Sequence, residues 1–253
     1  MSTVSLPINV QPWLKYTATT VGRDKIYRGI QYFSRFLAWY LLRQGYTKDT
    51  VARFNSLKKT LGLSRKLMRF GTKDDVGILN KAGYCKPVEH LDNAVKAVAV
   101  KDEFLRYCTI GKQLAYAGYL TLDGIIFIDG SGAYKFKNIK KYSELASRFW
   151  LAGIVFGFVS GLYKTRQIQI RRESAARGLS HSAEAEKSLA RTELKSLAKE
   201  QHSVNKTLLQ DGLDMLIPAT GLGYLSLDDG AVGLIGTATA IMGAKSQWAK
   251  VNK

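Results

Sequence analysis

The stretch LASRFWLAGIVFGFVSGLY, from Leu145 to Tyr163, has a single charged side chain among 19 residues. A helix rises about 1.5 Å per residue, so this stretch nearly spans a hydrocarbon layer about 30 Å thick. Arg148 lies near one end, where its long side chain can reach the head groups, and Trp150 and Tyr163 suit the membrane–water interface. The stretch therefore predicts a membrane-spanning helix, with a buried helix of a soluble protein as the alternative.

Three further segments of the second half are apolar but shorter. They are Leu114–Ile128, Leu213–Leu227 and Ala231–Ala244, and only the first two contain an acidic residue, Asp123 and Asp214 respectively. None reaches the 18 consecutive apolar residues typical of a spanning helix. We expect these segments to form short glycine-rich helices embedded in a membrane.

Small residues recur every four positions in two of these segments. This spacing lets two helix backbones approach closely where lipid removes the hydrophobic drive for association. In a water-soluble helix, each glycine would cost about 1 kcal/mol relative to alanine. The pattern predicts two helix-packing ridges, which would also serve self-association, formed by Gly153, Gly157 and Gly161 and by Gly236, Ala240 and Ala244.

A different pattern occurs in NSLKKTLGLSRKLMRFG, from Asn55 to Gly71, which contains five cations and no carboxylate. On a helical projection the apolar and basic side chains separate onto opposite arcs. The apolar arc consists of Phe54, Leu57, Leu61, Leu67 and Met68. The basic arc consists of Lys58, Lys59, Arg65, Lys66 and Arg69. Such a face repels itself unless something anionic lies along it, so the segment is expected to insert its apolar face into an anionic membrane.

The composition narrows the possible functions. The formal net charge of +18 implies an anionic partner. Anionic phospholipid is favoured over nucleic acid, because no nucleic-acid-binding module is present and the uncharged glycine-rich segments would have no role there. Two cysteines are too few for a secreted disulfide framework. No residue spacing indicates a metal site, a cofactor or a catalytic triad, so we expect no enzyme activity.

Helical periodicity runs through most of the chain and predicts an all-α fold. The predicted helices cover Arg23–Arg43, Asp49–Phe70 and Pro87–Tyr119, and the aromatic side of the first suits either a protein core or a membrane interface. Four regions are expected: a basic amphipathic region at 1–110, an apolar hairpin or span at 111–163, a charged linker and surface helix at 164–206, and a C-terminal membrane helix or hairpin at 207–253.

Four segments together carry a resemblance to a known family. They are GRDKIYRGIQYFSRFLAWYL (22–41), LKKTLGLSRKLMRFG (57–71), KYSELASRFWLAGIVFG (141–157) and the C-terminal block from Leu216 to Trp248. In this order they resemble the peroxisomal membrane-elongation peroxins, the peroxin-eleven family, in a fungal version. The GRDK start and the basic amphipathic helix are the more specific parts of the match.

The resemblance implies a peroxisomal membrane protein that promotes peroxisome elongation, proliferation and fission. It implies insertion of an amphipathic helix, self-association into homo-oligomers, and recruitment of a dynamin-type GTPase with its tail-anchored adaptor. An alternative is a channel for small metabolites, in which Asp123 and Asp214 would line a path, because acidic residues at membrane depth are commonly functional.

Overall fold

The computed structural model describes residues 10–69, 86–181 and 184–253, and every regular element in these ranges is an α-helix. The predicted all-α fold is confirmed. The helices are α1 (Gln11–Ala18), α2 (Thr20–Arg43), α3 (Lys48–Met68), α4 (Lys86–Ala97), α5 (Glu103–Ser131), α6 (Ile139–His181), α7 (Glu184–Gly221) and α8 (Asp229–Val251).

The first two predicted helices match α2 and α3 to within a few residues, and Gly45 ends the first with a φ of +77°. The third prediction is wrong, because the run from Pro87 to Tyr119 is broken between α4 and α5. The cause lies at Asp102, whose carboxylate accepts a hydrogen bond from the Leu105 amide at 2.8 Å and caps a new helix. A capping aspartate satisfies a backbone N–H that the first turn leaves without a partner.

Six helices form a closed ring, in which each contacts the next. The order around the ring is α2, α3, α5, α6, α7 and α8, and α8 packs back against α2. The short helices α1 and α4 lie outside this order, α1 against α2 and α8, and α4 against α5. Side chains of α2, α3, α4, α5, α6 and α7 line a cavity of about 490 Å³.

Aromatic side chains of α2 meet glycines of α8 in an antiparallel register. A Cβ atom added at Gly233 would lie 2.6 Å from the backbone nitrogen of Phe36, and one added at Gly236 would overlap the ring of Tyr32. Gly230 faces Trp39 in the same way. The glycines of α8 therefore make room for aromatic rings, and the aromatic side of α2 is partly a protein core.

The ridge on α6 also packs inside the chain. A Cβ atom at Gly153 would lie 3.3 Å from the ring of Tyr116 on α5, and one at Gly161 would lie 2.7 Å from Leu208 on α7. A Cβ atom at Gly157 would approach both helices, at 2.9 Å from the Lys112 Nζ and 3.1 Å from the Asp211 carboxylate. The predicted ridges thus bring together neighbouring helices of one molecule.

The region 164–206, expected to be a charged linker and a surface helix, is helical throughout its described part, within α6 and α7, and residues 182 and 183 fall outside the described ranges. These helices form an antiparallel pair in which Ile168 and Leu197 are fully buried, and Arg171 binds Glu200 at 3.0 Å across the pair. Buried aliphatic side chains within a charged sequence explain the difference, since they let a mostly polar stretch pack as a helix. We call this pair, residues 164–181 and 184–206, the stalk.

One helix of the described part is long and apolar enough to cross a membrane, the portion of α6 from Ile139 to Arg177. Only 22% of its most apolar window is buried inside the bundle, whereas a soluble core helix would be mostly buried. The expected segment Leu213–Leu227 is not one helix, because α7 ends at Gly221 and Gly223 has a φ of +78°.

Candidate functional site

The amphipathic helix α3 lies in the ring between α2 and α5. Val51 and Arg65 are its buried side chains, and both are on the side that faces these neighbours. The packing side of α3 therefore includes much of the basic arc.

Arg65 is the most enclosed cation of this arc, with 8% of the residue exposed. Its Nε donates to the Asp24 carboxylate at 2.9 Å, and its Nη1 donates to the Gln31 side chain at 2.7 Å. Both partners belong to α2. Buried guanidinium groups need such partners, because an uncompensated buried charge is strongly destabilising.

Lys66 and Arg69 share a second carboxylate, Asp123 of α5. Lys66 Nζ contacts one oxygen of Asp123, and Arg69 Nη1 donates to the other at 3.0 Å. Arg69 Nη1 also donates to the Tyr119 hydroxyl at 2.9 Å. These contacts connect α3 to α5, as the Arg65 contacts connect it to α2.

The two α2 residues beside this cluster have strongly altered pKa values. Burial would raise the pKa of Asp24, but Arg69, Arg65 and Lys25 outweigh it and lower that pKa to about 2. Burial, Arg28 and Arg65 together lower the pKa of Lys25 to about 8, and Asp24 and Asp214 offset them only in part. The positive groups around Asp24 therefore outweigh the effect of its burial.

The other two predicted basic residues lie toward the surface. Lys58 is 3.9 Å from the Asp229 carboxylate at the start of α8, and Lys59 is exposed. The five cations consequently do not form one outward face. Sequence periodicity places them on one arc, but the anions along most of that arc are carboxylates of α2, α5 and α8.

The predicted apolar arc is divided: Leu57 and Leu67 form the outer edge of α3, whereas Met68 lines the cavity. Leu57 is 41% exposed and Leu67 is 56% exposed. Phe54, Leu61 and Met68 are half-buried. Neighbouring helices cover this arc only in part, so large apolar side chains remain at the molecular surface.

One interior ion pair could not be expected from local spacing. Arg28 of α2 pairs with Asp214 of α7, and Arg28 Nη2 donates to the Thr239 hydroxyl of α8 at 2.9 Å. Thr239 is fully buried. Asp123 and Asp214, the two acids predicted for a path through the molecule, both line the central cavity.

The second predicted ridge divides between two environments. Gly236 and Ala240 are buried on the side facing α2, whereas Ala244 is half-buried. The ridge extends further than expected, because Gly230, Gly233 and Gly243 also face α2 side chains.

Comparison with known proteins gives the family. The model of the family described as peroxisomal biogenesis factor 11 (PEX11) matches residues 10–248. Peroxisomal membrane protein PMP30B of Candida boidinii is 24% identical over 93% of this chain and 92% of its own length. Peroxisomal biogenesis factor 11 of Schizosaccharomyces pombe is 25% identical over 90% of each chain.

Similarity extends to mammals over a shorter region. Peroxisomal membrane protein 11B of Homo sapiens is 26% identical over 55% of this chain and 48% of its own. No solved structure gives a significant match. The family match covers nearly the whole chain, in agreement with the resemblance carried by its motifs, and the chain belongs to the peroxisomal biogenesis factor 11 family, as a protein of the peroxisomal membrane.

Proposed function

We propose that this chain elongates the peroxisomal membrane and promotes peroxisome proliferation and fission by inserting the outer edge of α3 into one leaflet. The observation that carries the proposal is the orientation of α3. Its charged side is fixed to α2 and α5 by Arg65, Lys66 and Arg69, while Leu57 and Leu67 are exposed. A helix held in this way presents its apolar edge with little freedom to turn it inward.

The apolar part of α6 anchors the bundle in this proposal. Only 22% of its most apolar window is buried inside the bundle, and its exposed residues include Phe149, Val155 and Leu162. At about 1.5 Å per residue, the 43 residues of α6 are roughly twice as long as the hydrocarbon layer is thick. The stalk then projects beyond the head groups.

Insertion of α3 supplies a physical route to curvature. An amphipathic helix lying about 5 to 10 Å deep enlarges the area of one leaflet and not of the other. Anionic lipid would help to hold it there through exposed cations such as Lys59, each contributing up to about 1 kcal/mol. Binding alone provides this energy, so no turnover is required.

Many copies are needed to bend a membrane, and we include self-association in the proposal. Exposed apolar side chains on the outer side of α8, Leu234 and Ile241, provide a surface for a second copy or for lipid. Recruitment of a dynamin-type GTPase and its tail-anchored adaptor completes the proposal and rests on the family.

The insertion step can be tested with an environment-sensitive dye on the full chain. The dye is attached to Leu67→Cys after Cys85 and Cys108 are changed to Ser, and to Leu189→Cys as a matched control on the stalk, where Leu189 is 70% exposed. On reconstitution into vesicles with anionic lipid, the emission at position 67 should shift to the blue and that at position 189 should not. An unshifted emission at position 67 would exclude insertion of this edge.

A second candidate function, a channel for small metabolites, is supported by the cavity between the helices. This cavity of about 490 Å³ is lined by Asp123 and Asp214 together with several cations. The test is release of a small anionic dye from vesicles containing the full chain. Leak that is lost in Asp214→Asn but unaffected by Leu57→Ser would support the channel, and tight vesicles would exclude it.

A further inference from the structure

The cavity lined by helices α2 to α7 is rich in charge. Six cationic side chains and four carboxylates line it. The cations are Lys25, Arg28, Arg65, Lys66, Arg69 and Lys86, and the carboxylates are Asp24, Asp123, Asp211 and Asp214. Its volume of about 490 Å³ is within the range of small-molecule sites, about 300 to 1,000 Å³.

These charges do not balance one another in pairs. Asp24 pairs with Arg65 and Arg69, and Asp123 pairs with Lys66 and Arg69. Asp214 pairs with Arg28. Asp211 interacts instead with Lys112, and a Cβ atom at Gly157 would lie within 3.1 Å of both side chains. Lys86 pairs with Glu89 at 2.7 Å, so the five other cations of the lining face three carboxylates, an excess of two positive charges.

Two donor groups at one wall of the cavity lack a partner within the described ranges: the Lys25 ammonium, and the Nε of Arg28, whose Nη2 pairs with Asp214. Among the described residues, no carboxylate lies within ion-pair distance of Lys25. Arg28 is only 8% exposed, and its Nε has no hydrogen-bond partner in the described part of the chain. Lys25 is half-buried and the Arg28 Nε is buried. A buried donor without a partner costs free energy, so it commonly marks a ligand or an ion.

We propose that this cavity binds a phosphate-bearing anion, held by the Lys25 ammonium and the Arg28 guanidinium in the field of Arg65. A phosphate monoester carries nearly two negative charges at neutral pH, which matches the excess of the lining. Guanidinium and ammonium groups are the usual donors to phosphate oxygens. Two sources share this chemistry, a lipid head group and a soluble phosphate ester. The inference does not depend on the membrane-remodelling function.

The binding test uses the full chain purified in a neutral detergent. Inorganic phosphate and glycerol 3-phosphate are titrated by calorimetry against sodium chloride of equal ionic strength, and phosphatidic acid is compared with phosphatidylcholine by native mass spectrometry. Binding of the soluble phosphates identifies a soluble ligand, and retention of phosphatidic acid alone identifies a head group. Either result supports the site, and failure of all three phosphate probes would overturn it.

Lys25→Met is the informative variant, because Lys25 contributes no ion pair to the fold among the described residues. This variant should bind the phosphate probe that the wild type binds about tenfold more weakly or worse, as expected for loss of a charged donor. Lys199→Met, an equal change at an exposed position of the stalk, should leave binding unchanged. Equal binding by the wild type and Lys25→Met would overturn the assignment.

Proton uptake gives a readout that a merely structural role would not produce. The pKa of Lys25 is lowered to about 8, with Asp24 and Arg28 of α2, Arg65 of α3 and Asp214 of α7 acting on it. A bound anion favours the charged ammonium, so binding of glycerol 3-phosphate at pH 8.5 should take up a proton. Calorimetry in two buffers of different ionisation enthalpy measures this uptake. Binding without uptake would exclude Lys25 as a ligand.

Discussion

Arg28 and Asp214 form an ion pair in the interior, at a point where three helices meet. Removing one partner from a buried pair typically costs about 3 to 5 kcal/mol, because the other charge is left uncompensated. We therefore expect Arg28→Met to lower the free energy of unfolding in detergent by that amount. Arg35→Met is the control, because Arg35 pairs with the half-exposed Asp229 and should lose less than about 1 kcal/mol. Equal losses would contradict the interior role of Arg28.

Asp24 should make the fold sensitive to acid. Its pKa is about 2 in the folded chain, below the ordinary value, so its contribution to stability is complete above about pH 4. That contribution is lost as pH falls from about 4 to 2. Asp24→Asn should therefore be less stable than the wild type at pH 6, by about 2 kcal/mol, and the difference should shrink toward pH 2. Unfolding curves at both pH values measure it, and a constant difference would contradict the assignment.

At the residue scale, the sequence predicted which side chains of α3 are basic and which are apolar. It could not predict that Arg65 and Arg69 turn inward, because their partners Asp24 and Asp123 lie on other helices. Local periodicity contains no information about pairs separated by 41 or 54 positions. A reversal of all five cations would break these pairs, so it tests folding before it tests lipid binding.

At the scale of elements, the close contact between α2 and α8 depends on glycines of α8, which have no side chain. Gly236→Ala would place a methyl carbon 2.2 Å from two atoms of the Tyr32 ring, so the ring or one of the helices must shift. We expect a loss of about 1 to 3 kcal/mol, as for overpacked cores. Gly221→Ala is the matched control, because nothing lies within 4 Å of a Cβ atom there. Thermal unfolding of both variants measures the difference, and similar melting temperatures would exclude the close contact.

The ridge on α6 leads to a prediction about assembly. Because Gly157 faces Lys112 and Asp211 of the same chain, Gly157→Leu should destabilise the single molecule rather than its association. The fraction of crosslinked oligomers among folded chains should remain unchanged. Val155→Leu, at a 40% exposed position of the same helix, controls for added volume. Selective loss of oligomers from a chain of normal stability would show that the ridge faces another copy.

The small-residue spacing predicted that α6 and α8 have packing ridges, but it did not identify their partners. A ridge specifies how closely a backbone can approach and leaves open which helix approaches. The break before α5 had a local signal, since Asp102 followed by Glu103 is typical of a helix start, although the apolar run around it favoured continuity.

At the scale of the whole molecule, the order of the four matching segments indicated the family. The closed ring and the cavity could not be predicted, because they depend on contacts between helices that are distant in the sequence. Membrane proteins commonly place polar groups inside and apolar groups outside, and the ion pairs around Arg28 and Arg65 with the exposed residues of α6 follow this arrangement. The proposed remodelling function depends on one part of this arrangement, the apolar edge of α3.

The most direct measurement is electron microscopy of vesicles containing anionic lipid and the full chain. The wild type should draw them into tubules, and Leu57→Ser with Leu67→Ser should leave them spherical. Both residues are exposed, so the double variant should keep its stability to within about 1 kcal/mol. Leu189→Ser on the stalk should tubulate as the wild type does. Tubules of normal number and length from the double variant would contradict the account.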